Sequence, residues 1–114
     1  MSENRETSRL ERRASQRTPI ERGVRYRVVG RGPAGLSGIG KTINMSSVGM
    51  LIQTEQVLSP GWRIDVEMSG PFQVDDQLFS KLLITGKIVR TVSTPIPLAG
   101  LKISSHLFQT SRAG

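Results

Sequence analysis

Apolar and polar side chains alternate most cleanly at two places in the chain. Residues 24–29, VRYRVV, set Val24, Tyr26 and Val28 on one side and Arg25 and Arg27 on the other. Residues 62–68, WRIDVEM, set Trp62, Ile64, Val66 and Met68 against Arg63, Asp65 and Glu67. A period of two is that of a strand with one face buried and the other in water. Pro60-Gly61 supplies turn chemistry just before the second of these strands. Residues 82–92, LLITGKIVRTV, are rich in β-branched side chains, and Gly86 among them predicts a bulge or a bend. LKIS at residues 101–104 predicts another short strand, while glycine-rich residues 30–40 and TPIPLAG at 94–100 predict loops. Turns recur at intervals of about ten residues and no interior segment keeps a helical period, so the pattern predicts an all-β barrel or sandwich.

At both ends the alternation fades. Residues 1–20 scatter Leu10, Ala14 and Ile20 among charges, which predicts a flexible N-terminal arm ordered only by a partner. Residues 21–105 hold the body of the domain, and residues 106–114 are expected to form a short C-terminal tail or a helical turn. A chain of 114 residues is a single domain. Cysteine is absent, which removes disulfides and thiolate metal sites and suits a reducing compartment. No apolar run approaches the roughly 20 residues of a membrane span, and MSENRETSRL lacks the apolar stretch of a signal peptide. The expectation is a soluble cytoplasmic protein with no membrane insertion.

Charge sharpens this picture. The formal net charge is +7, and residues 1–31 hold nine arginines, no lysine and four glutamates. Arginine without lysine favours planar, forked recognition of phosphate or guanine over attraction to a point charge.

GLSGIGKT at residues 35–42 satisfies the phosphate-loop pattern G-x-x-x-x-G-K-[ST] at every position. That motif works through backbone amides at the start of a helix. Here INMSSVGMLIQT follows, with β-branched and turn residues and no helical face. Gly30, Gly32 and Gly35 also spell the dinucleotide fingerprint, again with no helix behind them and with Pro33 inside. Both matches are therefore assigned to a glycine-rich hairpin connection. Enzymatic chemistry is not expected either. The single histidine, His106, has no evident acid or thiol partner, Asp75-Asp76 reads as a solvated turn, and no metal-ligand spacing occurs.

Two further patterns carry the functional expectation. Arg13 and Arg17 form an R-x-x-x-R preceded by Arg12, and Asn44, Ser46 and Gly49 form an N-x-S-x-x-G between two strands. Arginines at four-residue spacing do not stabilise a helix of their own. Taken alone the spacing also fits a solvated basic tail; alternatively the forks can converge on an anion, pairing with phosphate or with the O6 and N7 atoms of guanine. Asn44 can read a base edge or brace the backbone, Ser46 offers a hydroxyl, and Gly49 offers backbone freedom. The same turn residues also occur in ordinary turns, where they bond the local main chain.

In that order, with VRYRVV between them and GWRIDVEM and GKIVR…GLKI following, these motifs resemble the PilZ domain family. The resemblance covers residues 12 to 104. It implies a small six-stranded antiparallel β-barrel with a flexible arm, and cyclic di-GMP as ligand with no other cofactor. By the same resemblance, Arg13 and Arg17 would grip phosphates and guanine edges, and Asn44 and Ser46 would contact a guanine with Gly49 leaving room. Arg12 would favour a second, stacked ligand molecule. A protein partner would read the closed arm. The alternatives are a PilZ-like adaptor that binds only proteins and a basic barrel for single-stranded nucleic acid. The latter would lack a stacking platform, with one Trp, one Tyr and three Phe in the chain.

Overall fold

Among the described residues seven strands form, because most segments between turns have one apolar and one polar face. They are β1 (Thr18–Pro19), β2 (Gly23–Gly30), β3 (Ser37–Met45), β4 (Gly49–Gln53), β5 (Arg63–Val74), β6 (Gln77–Val92) and β7 (Leu98–Gln109). The structure is a computed structural model and describes residues 18–19, 21–30, 32–33 and 35–110. Every pairing is antiparallel, in the order β3-β2-β5-β6-β7-β4, and β4 pairs back onto β3. Six strands thus close into a barrel, and no helix occurs among the described residues. The all-β expectation resolves to the barrel rather than the sandwich.

The two alternating segments behave as their pattern predicts. In β2 Val24, Tyr26 and Val28 are buried and Arg25 and Arg27 exposed. In β5 Ile64, Val66 and Met68 are buried, and Trp62 packs against the same core. Met50, Ile52, Leu58, Leu82, Ile84, Ile88, Ala99 and Leu101 complete the interior. Gly86 sits at a register shift between β6 and β7, as the bulge expectation required. Asp75 and Asp76 form the two-residue turn of the β5–β6 hairpin with φ of 49° and 68°, the left-handed pair that a type I′ turn demands.

Tyr26 is the one aromatic fully inside the barrel, and its hydroxyl is partnered. It donates to Gln56 Oε1 at 2.9 Å and accepts from the Glu55 N–H at 3.0 Å. Burial raises its pKa, and the Glu55 charge pushes the same way against the bonds from the neighbouring backbone. A raised folded pKa means that this residue's contribution is present below about pH 10 and is lost as pH rises through the folded value. Tyr26→Phe leaves the Glu55 amide unpaired and is expected to cost about 1–2 kcal/mol in urea unfolding. It should also flatten the alkaline loss of stability. A wild-type unfolding midpoint for this variant would refute the bonding assignment.

Several boundaries differ from expectation: β5 runs past Met68 to Val74, β6 begins at Gln77 rather than Leu82, and β7 begins at Leu98 inside the expected 94–100 loop. The loop over residues 30–40 is shorter, because β3 begins at Ser37. Its inward positions are Gly38 and Gly40, which leave no apolar stripe to read in the sequence. The glycines are there for close approach: a Cβ on Gly38 would meet the Tyr26 hydroxyl at 2.5 Å, and one on Gly40 would collide with the Gln53 carbonyl oxygen. At the other end, β7 does not stop at Ser104 but runs through Gln109, paired with β6 as far as Lys81. Residues 106–109 are therefore strand and neither tail nor helical turn. Phe108 fixes them by packing on Phe72 and Phe79 of the β5–β6 hairpin, with ring centroids 5.8 and 5.2 Å away.

Candidate functional site

The N-x-S-x-x-G segment is the connection of the β3–β4 hairpin, closed by the Met45–Met50 pair. Ser46 builds it. Its hydroxyl accepts the N–H groups of Val48 and Gly49, both at 3.2 Å, and its own N–H donates to the Gly49 carbonyl at 2.8 Å. Ser46 is 9 % exposed, so its hydroxyl braces the turn from within. The Ile103 N–H donates to the Val48 carbonyl at 2.9 Å and ties the turn to β7. Gly49 is buried and directly opposite Lys102. Among the described glycines, positive φ belongs to Gly35 and Gly61. Gly49 therefore does not owe its place to the left-handed region, contrary to the sequence-based expectation of backbone freedom there.

Asn44 is half-buried, and the register gives it unexpected company. Asn44 is opposite Leu51, Leu51 opposite Gly100, and Gly100 opposite Arg90. Directly paired residues share a face of a sheet, and the flanking Met50, Ile52 and Leu101 are buried. Asn44, Leu51, Gly100 and Arg90 thus form one row across the outer wall, about 14 Å from end to end at normal strand spacing. Gly100 makes the row shallow in the middle. A Cβ there would stand 3.2 Å from Arg90 Cγ and 3.3 Å from Nε, so the arginine lies across the glycine. Lys102, one step along β7, adds a second cation beside Gly49. Among the described residues, neither Arg90 nor Lys102 is in an ion pair. The row offers a small flat floor, an amide at one end and, among the described residues, unpaired positive charge at the other. Such a floor suits a planar anionic ligand.

On its far side Asn44 is flanked by β1. Thr18 is opposite Met45 and Pro19 opposite Asn44. Since β4 occupies one edge of β3 there, β1 must lie along the other edge, the one that β2 follows further back. The chain then turns into β2 through Arg22. The Arg22 N–H donates to Thr42 Oγ1 at 3.1 Å, its guanidinium donates to the Ser69 carbonyl at 3.2 Å, and it sits 4.6 Å over the Phe72 ring. Arg22 is thereby a structural arginine. Arg25 and Arg27 face outward from β2.

Of the residues singled out in the sequence, Asn44, Ser46 and Gly49 come together in one turn, while Arg12, Arg13 and Arg17 lie outside the described residues. Sequence reasoning missed Arg90, Gly100 and Lys102. They stand in GKIVR and GLKI, but no local signal says that those segments flank the asparagine turn. Grooves of about 650 and 430 Å³ lie elsewhere on the surface. Among the described residues no group of three or more His, Asp or Glu is gathered to hold a metal, and no helix is long and apolar enough to cross a membrane. Compared with family models, curated proteins and solved structures, the chain gives no match.

Proposed function

We propose that this protein is a non-catalytic receptor for cyclic di-GMP with a PilZ-like barrel, whose arginine-bearing arm closes over the dinucleotide. The closed surface would then be read by a protein partner. One observation supports the reading above the others: the β1–β3 pairing. It fastens Thr18, which follows Arg17, beside Met45, which follows Asn44, so the segment directly after the arginine motif is laddered to the start of the asparagine turn. The second support is the outward row from Asn44 to Arg90, which has the flat floor and the positive end that a cyclic dinucleotide requires. Arg13 and Arg17 supply the forks for phosphate and guanine, Arg12 the option of a second stacked molecule, and Asn44 a contact to a base edge. Because the Ser46 hydroxyl is already engaged in the turn, Ser46 serves by shaping the hairpin beneath the ligand.

The test is titration of the full chain with cyclic di-GMP by calorimetry, paired with NMR. Binding in the micromolar range or tighter is expected, with amide shifts at Asn44, Val48, Leu51 and Gly100. Stoichiometry reports on Arg12, since two molecules per chain require the stacked arrangement. Absence of heat and of shifts would defeat the proposal and leave the protein-only adaptor. Shifts from a DNA oligonucleotide that vanish with added salt, with none from the dinucleotide, would favour the nucleic-acid barrel.

A further inference from the structure

The groove of about 650 Å³ crosses the outer face of β3, β2, β5, β6 and β7, well apart from the asparagine row. Its register has a pattern. One line of directly paired residues reads Ile39, Arg25, Glu67, Leu83, Leu107, and the next reads Ser37, Arg27, Asp65, Thr85, Ser105. In chemical terms these are apolar, cation, anion, apolar, apolar, and hydroxyl, cation, anion, hydroxyl, hydroxyl. The first four members of each line are their own complement when turned about the seam between β2 and β5, while Leu107 and Ser105 lie outside the symmetric part. A half-turn about an axis parallel to the strands there lays a second copy's Glu67 over Arg25 and its Asp65 over Arg27. The same rotation lays Leu83 over Ile39 and Thr85 over Ser37.

Pairing within the chain engages the two acids of this pattern and leaves its two arginines unspent. Glu67 is held by Lys81 at 3.0 Å and Asp65 accepts the Thr85 hydroxyl at 3.1 Å, while Arg25 and Arg27 make no ion pair among the described residues. Ile39 and Leu107 are 60 % and 59 % exposed. We infer that this face is an isologous interface with a second copy of the chain, in which the two arginines of each protomer reach into the groove of the other and meet its Asp65 and Glu67. An isologous contact of this kind requires a surface that is complementary to itself, and sheets pack face to face with their strands nearly aligned. The patch covers about 300 Å² per protomer at normal strand spacing, well under half of the roughly 800 Å² of a standard interface. The dimer is therefore weak, dependent on concentration and loosened by salt.

Sedimentation of the full chain without any dinucleotide, over a concentration series into the millimolar range, tests this. A monomer–dimer equilibrium is expected, weakening with added salt. Arg27→Glu should raise the dissociation constant at least about tenfold, because it sets like charges in both symmetric pairs. Asp65→Arg should do the same, and the chain carrying both changes should dimerise again. Ile39→Lys, at an exposed position, should weaken the dimer without touching either charge. A chain that stays monomeric throughout overturns the inference, and so does a dimer indifferent to Arg27→Glu and Ile39→Lys. Neither the arm nor the asparagine turn takes part, so failure here leaves the nucleotide proposal standing, and the converse also holds.

Discussion

Arg17→Ala is expected to bind cyclic di-GMP at least about tenfold more weakly than the wild-type chain. A charge-assisted hydrogen bond contributes about 1.5–3 kcal/mol, and each 1.4 kcal/mol is a factor of ten in affinity. Arg13→Ala should lose a similar amount, and Asn44→Ala less, since a neutral amide loses a weaker contact. The β1–β3 pairing adds a sharper expectation. Thr18 and Pro19 are in register with Met45 and Asn44, so Arg17 and Asn44 should act on one ligand together and their losses should not add. A double-mutant cycle should show a coupling of about 0.5–3 kcal/mol, as residues sharing a partner do. Arg22→Ala is the contrasting case, because Arg22 holds Ser69 and Phe72 and should act mainly on stability. If Arg17→Ala retains wild-type affinity in calorimetry, the closing-arm mechanism is wrong.

Gly40→Ala is expected to cost about 3 kcal/mol or more in folding stability, at the upper end for overpacking. The new methyl group would run into the main-chain oxygen of Gln53, which cannot rotate aside as a side chain can. Relief requires β3 and β4 to separate, and with them the pairing that closes the barrel and carries Asn44. Gly35→Ala makes the comparison informative, for these are the two glycines that the phosphate-loop pattern requires. Nothing lies within 4 Å of a Cβ on Gly35, whose φ is +83°. Its replacement should cost only the left-handed backbone penalty of about 1–2 kcal/mol. Urea unfolding measures both, and equal costs for the two variants would discredit the account of the Gly38–Gly40 segment as a crowded strand.

That segment also marks where the sequence stops being readable. β2 and the first half of β5 are legible because Val24, Tyr26 and Val28, or Ile64, Val66 and Met68, face one interior while charges face water. β3 is not legible in the same way, since its inward residues are small so that Tyr26 and Gln53 can approach. The end of β7 is hidden for a different reason. Ser104 to Gln109 is polar by composition, and Phe108 gains its aromatic partners only when the β5–β6 hairpin folds alongside. The asparagine turn is readable as a motif, and its Ser46 bonds are those of an ordinary turn as well. Arg90 and Lys102 are not readable, because the place of Arg90 at the far end of the Asn44 row and of Lys102 opposite Gly49 is set by a register running through four strands.

Closure of the sheet has a consequence for solubility. A barrel exposes no long unpaired strand, and that removes the usual template on which chains stack into fibrils. In the described residues closure is complete at one end of the barrel only: at the other, residues 104–109 of β7 and 69–74 of β5 are laddered on one side, to β6. Between Gln77 and Ser80, β6 runs past the last β7 pair and is laddered only to β5. The adjoining Asp75 and Asp76 are both exposed, and their negative charges at the tip repel an identical tip that approaches to extend the ladder.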